Sequence, residues 1–426
     1  MNTAVAESRL ADRPDHVPQS LVYDFDMYFD PALVADAPAR LLDLARNAPP
    51  IFWTPHDGGQ WVICRHEAVA RAARDWEVFS SDHLTHSPQM QAAGGGKIDM
   101  SNVVQPVPIM LDPPEHSKFR APLNAVFSPK AMMALKDKIR VLAASLIDKV
   151  RPDGGCEFMS AIAEPIPVQV FLEIFGLPLD RQAEFRRIAK DHLSEEFGGL
   201  EDSQRKLREI VDVMRDTLIS RMAKPRDDVI SLLTQATVEG RPLTIRELNN
   251  YCVLLFIAGL DTVVNGMGHG IRHLAAHPEL QNQLRSNPKL ITEAAEELLR
   301  RYTFLAVIRT VAKDTVFDGV AMKRGETVKL GYPTADVDAA EFPDPELFDL
   351  GRENKAHFAF GAGPHRCLGS HLARIELQTL YEEMLARLPS FRLAPDKPIT
   401  YRCGPVIGPR ELHLVWDASP SRNNDK

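Results

Sequence analysis

One segment limits the fold more than any other. Residues 244–277 read as a single helix. It opens on Thr244-Ile245-Arg246-Glu247, a capping box in which Thr and Glu satisfy each other's orphan amides, and it stops before Pro278. At 1.5 Å per residue it spans roughly 50 Å, longer than most globular domains are wide. Its middle is apolar, so it must cross the centre of whatever folds around it. The most apolar run, residues 251–264, is interrupted by Asp261. No segment reaches the roughly 20 apolar residues of a membrane span. Other helical patterns cover 31–47, most of 114–240, 288–302 and 368–388. Short strands are expected at 50–53, 60–64, 308–312, 327–330 and 411–416. The expected class is mainly α with minor β.

Composition narrows the function. The chain has 426 residues, 44% apolar and 25% charged, which fits a globular protein rather than a disordered or fibrous one. A net charge of −8 gives no general attraction for nucleic acid or an anionic membrane. Residues 1–19 are polar and lack the apolar core of a signal peptide. The five cysteines are scattered without a CxxC pair, so neither a disulfide framework nor a zinc knuckle is expected, and the reducing cytoplasm is the expected location. Residues 80–113, rich in Ser, Gly, Pro and Met, are too long for an ordinary connection and read as a lid.

One cysteine carries chemistry. In Phe360-Gly361-Ala362-Gly363-Pro364-His365-Arg366-Cys367-Leu368-Gly369, glycines and a proline permit a tight loop just before a helical pattern. That puts Cys367 near a helix N-terminus, where amides and the positive helix end favour a thiolate, the metal-binding form. Cys64, Cys156, Cys252 and Cys403 read as small buried hydrophobes. In the long helix, Gly259 costs about 1 kcal/mol relative to Ala and so calls for a reason, such as a ligand close to the backbone. Beside it, Asp261 and Thr262 set an acid and an alcohol inside an apolar helix, a pair suited to relaying protons.

The cysteine stretch resembles the haem-binding loop of cytochrome P-450 monooxygenases, F-x-x-G-x-[HR]-x-C-x-G, at every specified position. Ala258-Gly259-Leu260-Asp261-Thr262 is similar to that family's oxygen-activation motif. Glu297-Leu298-Leu299-Arg300 resembles its E-x-x-R helix, with Arg352 as the third member of a structural network. His116 and Arg120, four residues apart on one helix face, resemble its H-x-x-x-R grip on a haem propionate, and Arg309 and His365 match two further propionate contacts. The resemblance covers about residues 25–417 and is nearest to the soluble bacterial, camphor-hydroxylating branch. In that branch's pocket positions stand Val104, Leu254, Ile257, Leu305, Val307 and Val406. Val104 replaces a tyrosine that holds a ketone there, and Val307 replaces an aspartate.

The resemblance implies one large triangular-prism-like domain over residues 25–417, with a polar arm at 1–24, a polar tail at 418–426, and the long helix crossing the haem. It implies haem b (iron protoporphyrin IX) with Cys367 as iron ligand; Phe360, Gly361, Gly369 and Gly259 border the cofactor. Asp261 and Thr262 then manage proton delivery. With no P-loop or GxGxxG fingerprint in the sequence, electrons must come from elsewhere, and the resemblance implies a [2Fe–2S] ferredoxin with a flavin-dependent reductase. The expected reaction is O2-dependent hydroxylation of a small terpenoid-like molecule. Two alternatives are a haem-thiolate peroxygenase, against which the acid–alcohol pair argues, and a haem-based sensor or ligand carrier.

Overall fold

The computed structural model describes residues 10–86, 103–192 and 199–417. Much of the expected lid, and the C-terminal tail 418–426, lie outside the described residues.

Helix is the dominant structure, with a five-stranded sheet at one side. The expected first helix is two: α1 (Pro31–Ala35) and α2 (Ala37–Asn47). Asp36 ends the first with φ −150° and caps the second through Ala39 N, 3.3 Å away. A short polar side chain that competes for backbone amides favours such a break. β1 (Ile51–Thr54) and β2 (Gln60–Ile63) form an antiparallel hairpin around Asp57-Gly58-Gly59. β3 (Phe79–Ser80), β4 (Val307–Val311) and β5 (Thr327–Leu330) complete the sheet in the order β1-β2-β5-β4-β3. Residues 10–24 lie against it: Val17 is fully buried, and Val22 bridges Trp53.

The helical part surrounds the long central segment. α3 is Glu115–Val126, α4 Gly199–Ala223, α5 Ile245–Leu260, α6 Thr262–Ala276, α7 Ile291–Arg301 and α8 Ser370–Arg387. Both halves of the Thr244–Glu247 capping box are made, as the sequence predicts. The single helix expected over 244–277 is corrected to two, since Asp261, with φ −117° and ψ −30°, is a distorted turn that separates α5 from α6. Thr262 Oγ1 donates to Ala258 O at 2.9 Å, a back-bond that bends helices. The expectation that no segment is apolar enough for a membrane span is also corrected: Ile245–Ala276 reaches that length and hydropathy despite Asp261, with 72% of its most apolar window buried inside the molecule. α8 packs on α6, and the largest core cluster joins them to α7. A C-terminal hairpin, β6 (Tyr401–Arg402) and β7 (Gly408–Pro409), lies against α6.

Candidate active site

The cysteine loop is closed by a hydrogen bond from Cys367 N to Phe360 O, 2.8 Å. Two glycines shape it: Gly361 and Gly363 have φ of 66° and 68°, and a Cβ on Gly363 would come 2.3 Å from Ala73 O. Left-handed backbone against a neighbouring carbonyl admits only glycine. Arg374 stacks over Phe360 at 4.3 Å and is held by Glu296 through bonds of 2.6 and 2.8 Å. The helix expected from residue 368 starts at Ser370, so Cys367 lies in the turn before α8 and not on its first residue. Burial is the main influence on the thiol and pushes it up. The Gly369 amide, Arg120, Arg374 and Arg366 pull the other way without prevailing. Desolvation therefore opposes the thiolate that the loop sequence favours.

Two histidines and two arginines border this loop, and none of the four makes an ion pair among the described residues. His116 is buried on α3, and neither ring nitrogen has a hydrogen-bond partner. Its ring lies 4.2 Å from that of His365, whose Nε2 meets Ser81 Oγ at 3.0 Å. Arg309, on β4, is 5% exposed, donates to Ile308 O at 2.8 Å, and makes no ion pair among the described residues. Arg120 donates to Arg366 O at 2.5 Å and is drawn electrostatically to Cys367. Burial first, then these neighbouring arginines, pushes His116 down to about 4 and His365 to about 2. The histidines are thus neutral, and the buried charge of Arg309 is unfavourable unless an acid answers it. Asp112 approaches the cluster but accepts from Ser80 Oγ and Ser81 N.

The break in the central helix is the second part of the site. Ala258 and Gly259 are exposed, although the helix residues around them are largely buried, and Cys367 is likewise open to solvent while enclosed by protein. Surface at such depth marks the walls of an internal cleft. Asp261 Oδ2 accepts from Arg402 and, at 3.1 Å, from Asn265 Nδ2. Arg402 was not foreseen, being 141 residues away; Asn265 could have been found from its i, i+4 spacing. The described contacts do not join Asp261 and Thr262 directly to His116, Arg120, Arg309 or His365.

Glu297, Arg300 and Arg352 lie together in one hydrogen-bonded group. Arg300 donates to Glu297 at 2.8 and 2.9 Å, Arg352 donates to it at 3.0 Å, and both Glu297 and Arg300 are fully buried. Arg300 also donates to Asp336 O and Pro345 O, and Arg352 to Pro343 O, so the network fastens the segment leading to the cysteine loop. All six expected pocket residues are half-buried. Leu305 and Val406 pair in a β-bridge, Val104 and Ile257 border one core cluster, and Val307, the first residue of β4, packs against another. Val104 is fixed by its backbone, which exchanges bonds of 2.9 and 3.1 Å with the Gln204 amide of α4. No described contact gathers all six. A cavity of about 10 Å³ beside His269, Tyr302 and Ile407 is separate and has room for about one water.

A family model described as Cytochrome P450 matches residues 179–402. The chain belongs to the cytochrome P450 family. A probable cytochrome P450 127A1 from Sinorhizobium fredii is 36% identical over 95% of this chain and 96% of its own length. A linalool 8-monooxygenase from Pseudomonas putida is 28% identical over 87% of this chain and 93% of its own. Among solved structures, cytochrome P450 CYP101C1 has TM-score 0.85 and 34% identity, covering 96% of this chain and 100% of that one. The chain is therefore a P450-class oxidoreductase whose cofactor is haem b with its iron. The residues present fit that group. The His116 nitrogens, unpartnered among the described residues, and Arg309, without an ion pair among them, suit carboxylates, and a Cβ on Gly369 would meet nothing within 4 Å.

Proposed function

We propose that this protein hydroxylates a small, apolar, terpenoid-like molecule with O2, taking two electrons from a [2Fe–2S] ferredoxin served by a flavin-dependent reductase, in a bacterial cytoplasm. One domain over residues 25–417, flanked by the 1–24 arm and the 418–426 tail, carries the activity. The observation that carries this reading is the opened helix at Asp261, where an acid and an alcohol sit beside exposed backbone in the centre of the molecule.

In this reading haem, bound through Cys367, supplies oxygen activation. His116, Arg120, Arg309 and His365 hold its carboxylates, while Phe360, Gly361, Gly369 and Gly259 give it room. Glu297, Arg300 and Arg352 brace the loop. Thr262 donates a hydrogen bond into the cleft after releasing Ala258 O, and Asp261 resupplies its proton. Val104, Leu254, Ile257, Leu305, Val307 and Val406 offer apolar surface only, which selects by shape and excludes water rather than holding a polar handle. A relative named for a terpene alcohol supports the substrate class.

The test combines a spectral-shift screen of small terpenoids with turnover under full electron supply. Displacement of iron-bound water followed by a hydroxylated product is expected. Product with peroxide alone, unimproved by ferredoxin and reductase, would make the protein a peroxygenase. Binding without any product would make it a sensor or carrier.

A further inference from the structure

Asp261, Asn265 and His269 recur every four residues and so lie along one face of the central helix. The C-terminal hairpin is fastened to that face at each of them. In its register Arg402 of β6 stands opposite Gly408 of β7. Arg402 donates to Asp261 Oδ2. Asn265 donates to the same oxygen at 3.1 Å and to Asp261 O at 2.8 Å. The other side of the Asn265 amide rests on Gly408 so closely that a Cβ there would come 1.8 Å from Oδ1. His269 Nε2 donates to Ile407 O at 3.0 Å.

The turn of the same hairpin reaches the apolar surface proposed for substrate. Val406 bridges Leu305, with Ile407 N donating to Phe304 O at 2.8 Å and Ala306 N to Pro405 O at 2.9 Å. One short element therefore touches the acid at one end and the substrate surface at the other. Arg402 and Asn265 both occupy Oδ2, which leaves Oδ1 for proton exchange. A carboxylate rotating freely about its Cβ–Cγ bond would present either oxygen; one clasped by two donors presents one.

We propose that Arg402 is a positioning residue that fixes the Asp261 carboxylate for proton delivery, and that its hairpin ties that fixation to substrate packed against Val406. This rests on the reading of Asp261 as the proton-delivery acid. The two-sided clasp, with Gly408 backing Asn265, makes the acid's orientation depend on where the hairpin sits. A substrate that fits the turn holds the hairpin, and hence the acid, in place.

The reconstituted holoenzyme tests this with Arg402→Ala, Arg402→Lys and Asp261→Asn. Arg402→Ala should lower product formed per electron pair several-fold and raise the solvent isotope effect, leaving the substrate dissociation constant from spectral titration near that of the wild type. Arg402→Lys should restore much of the coupling. Amide hydrogen exchange gives a readout apart from turnover: in wild type, substrate should slow exchange at both 401–409 and 261–265, and in Arg402→Ala at 401–409 alone. Unchanged coupling and isotope effect in Arg402→Ala, with Asp261→Asn impaired, would overturn this inference only. If Asp261→Asn behaves as wild type, the proton-delivery reading fails first.

Discussion

Cys367 shows what a side chain cannot accomplish by local sequence alone. Its loop brings the Gly369 amide and three arginines to bear, yet burial still pushes the thiol up. Binding to a metal would reverse that, because a coordinating thiol is deprotonated outright. Cys367→Ala is therefore expected to abolish the strongly red-shifted Soret band of the reduced CO complex while the far-UV circular dichroism stays close to that of the wild type. Persistence of the band would remove Cys367 as ligand. Thr262 has a different sort of role, since its hydroxyl is engaged by Ala258 O at 2.9 Å and must let go to serve the cleft. Thr262→Ala should keep substrate binding and electron uptake but divert electrons from product to peroxide or water. Product per NADH and peroxide yield measure this, and unchanged coupling counts against the hydroxyl. These residues were legible because their chemistry is encoded within a few positions. Arg402 was not, because its pairing with Asp261 exists only once a distant hairpin has folded onto α6.

At the scale of elements, the network of α7 makes a sharper prediction than any surface ion pair. Glu297 is fully buried and accepts from Arg300, Arg352 and the Asp349 amide, so its removal strands two guanidinium groups away from water. Breaking a buried pair by deleting one partner costs about 3–5 kcal/mol. Glu297→Ala should lower the urea midpoint accordingly and release haem more readily on dilution, whereas Glu293→Ala, on the same helix, provides a comparison outside the network. A loss below about 1 kcal/mol, the value of an exposed pair, would remove the bracing role. From the residues alone the i, i+3 spacing of Glu297 and Arg300 reads as a solvated surface pair, and only the family resemblance implies a buried network. Only packing decides which. The starts of helices were more legible than their interruptions: Thr244 and Glu247 announce a cap within four residues, but the breaks at Asp36 and Asp261 depend on side chains that satisfy backbone groups in place of the helix. Strand pairing was the least legible feature, since β5 lies between β2 and β4 only through contacts far apart in sequence.

For the whole molecule, burying the histidines of the central helix ties stability to acidity. His269 is 4% exposed, its ring stacked between Tyr302 and Tyr401, and burial, the first influence on it, pushes it down to about 4. One turn on, His273 is pushed down to about 3, again chiefly by burial. In the unfolded chain both titrate near the usual histidine value of about 6.5. Between about pH 6.5 and 4 the unfolded state therefore binds protons that the folded state refuses, so stability is full above that window and falls as the pH drops through it. For His269 the loss between pH 7 and pH 5 is about 2 kcal/mol. His269→Phe keeps a ring among its aromatic neighbours and removes the titration. Whatever its stability at pH 7, it should lose less than the wild type on going to pH 5, by roughly that 2 kcal/mol, in urea unfolding at the two pH values. Parallel losses in the two proteins would mean that His269 takes up its proton in the folded state, and that water reaches the helix face on which the hairpin is clasped.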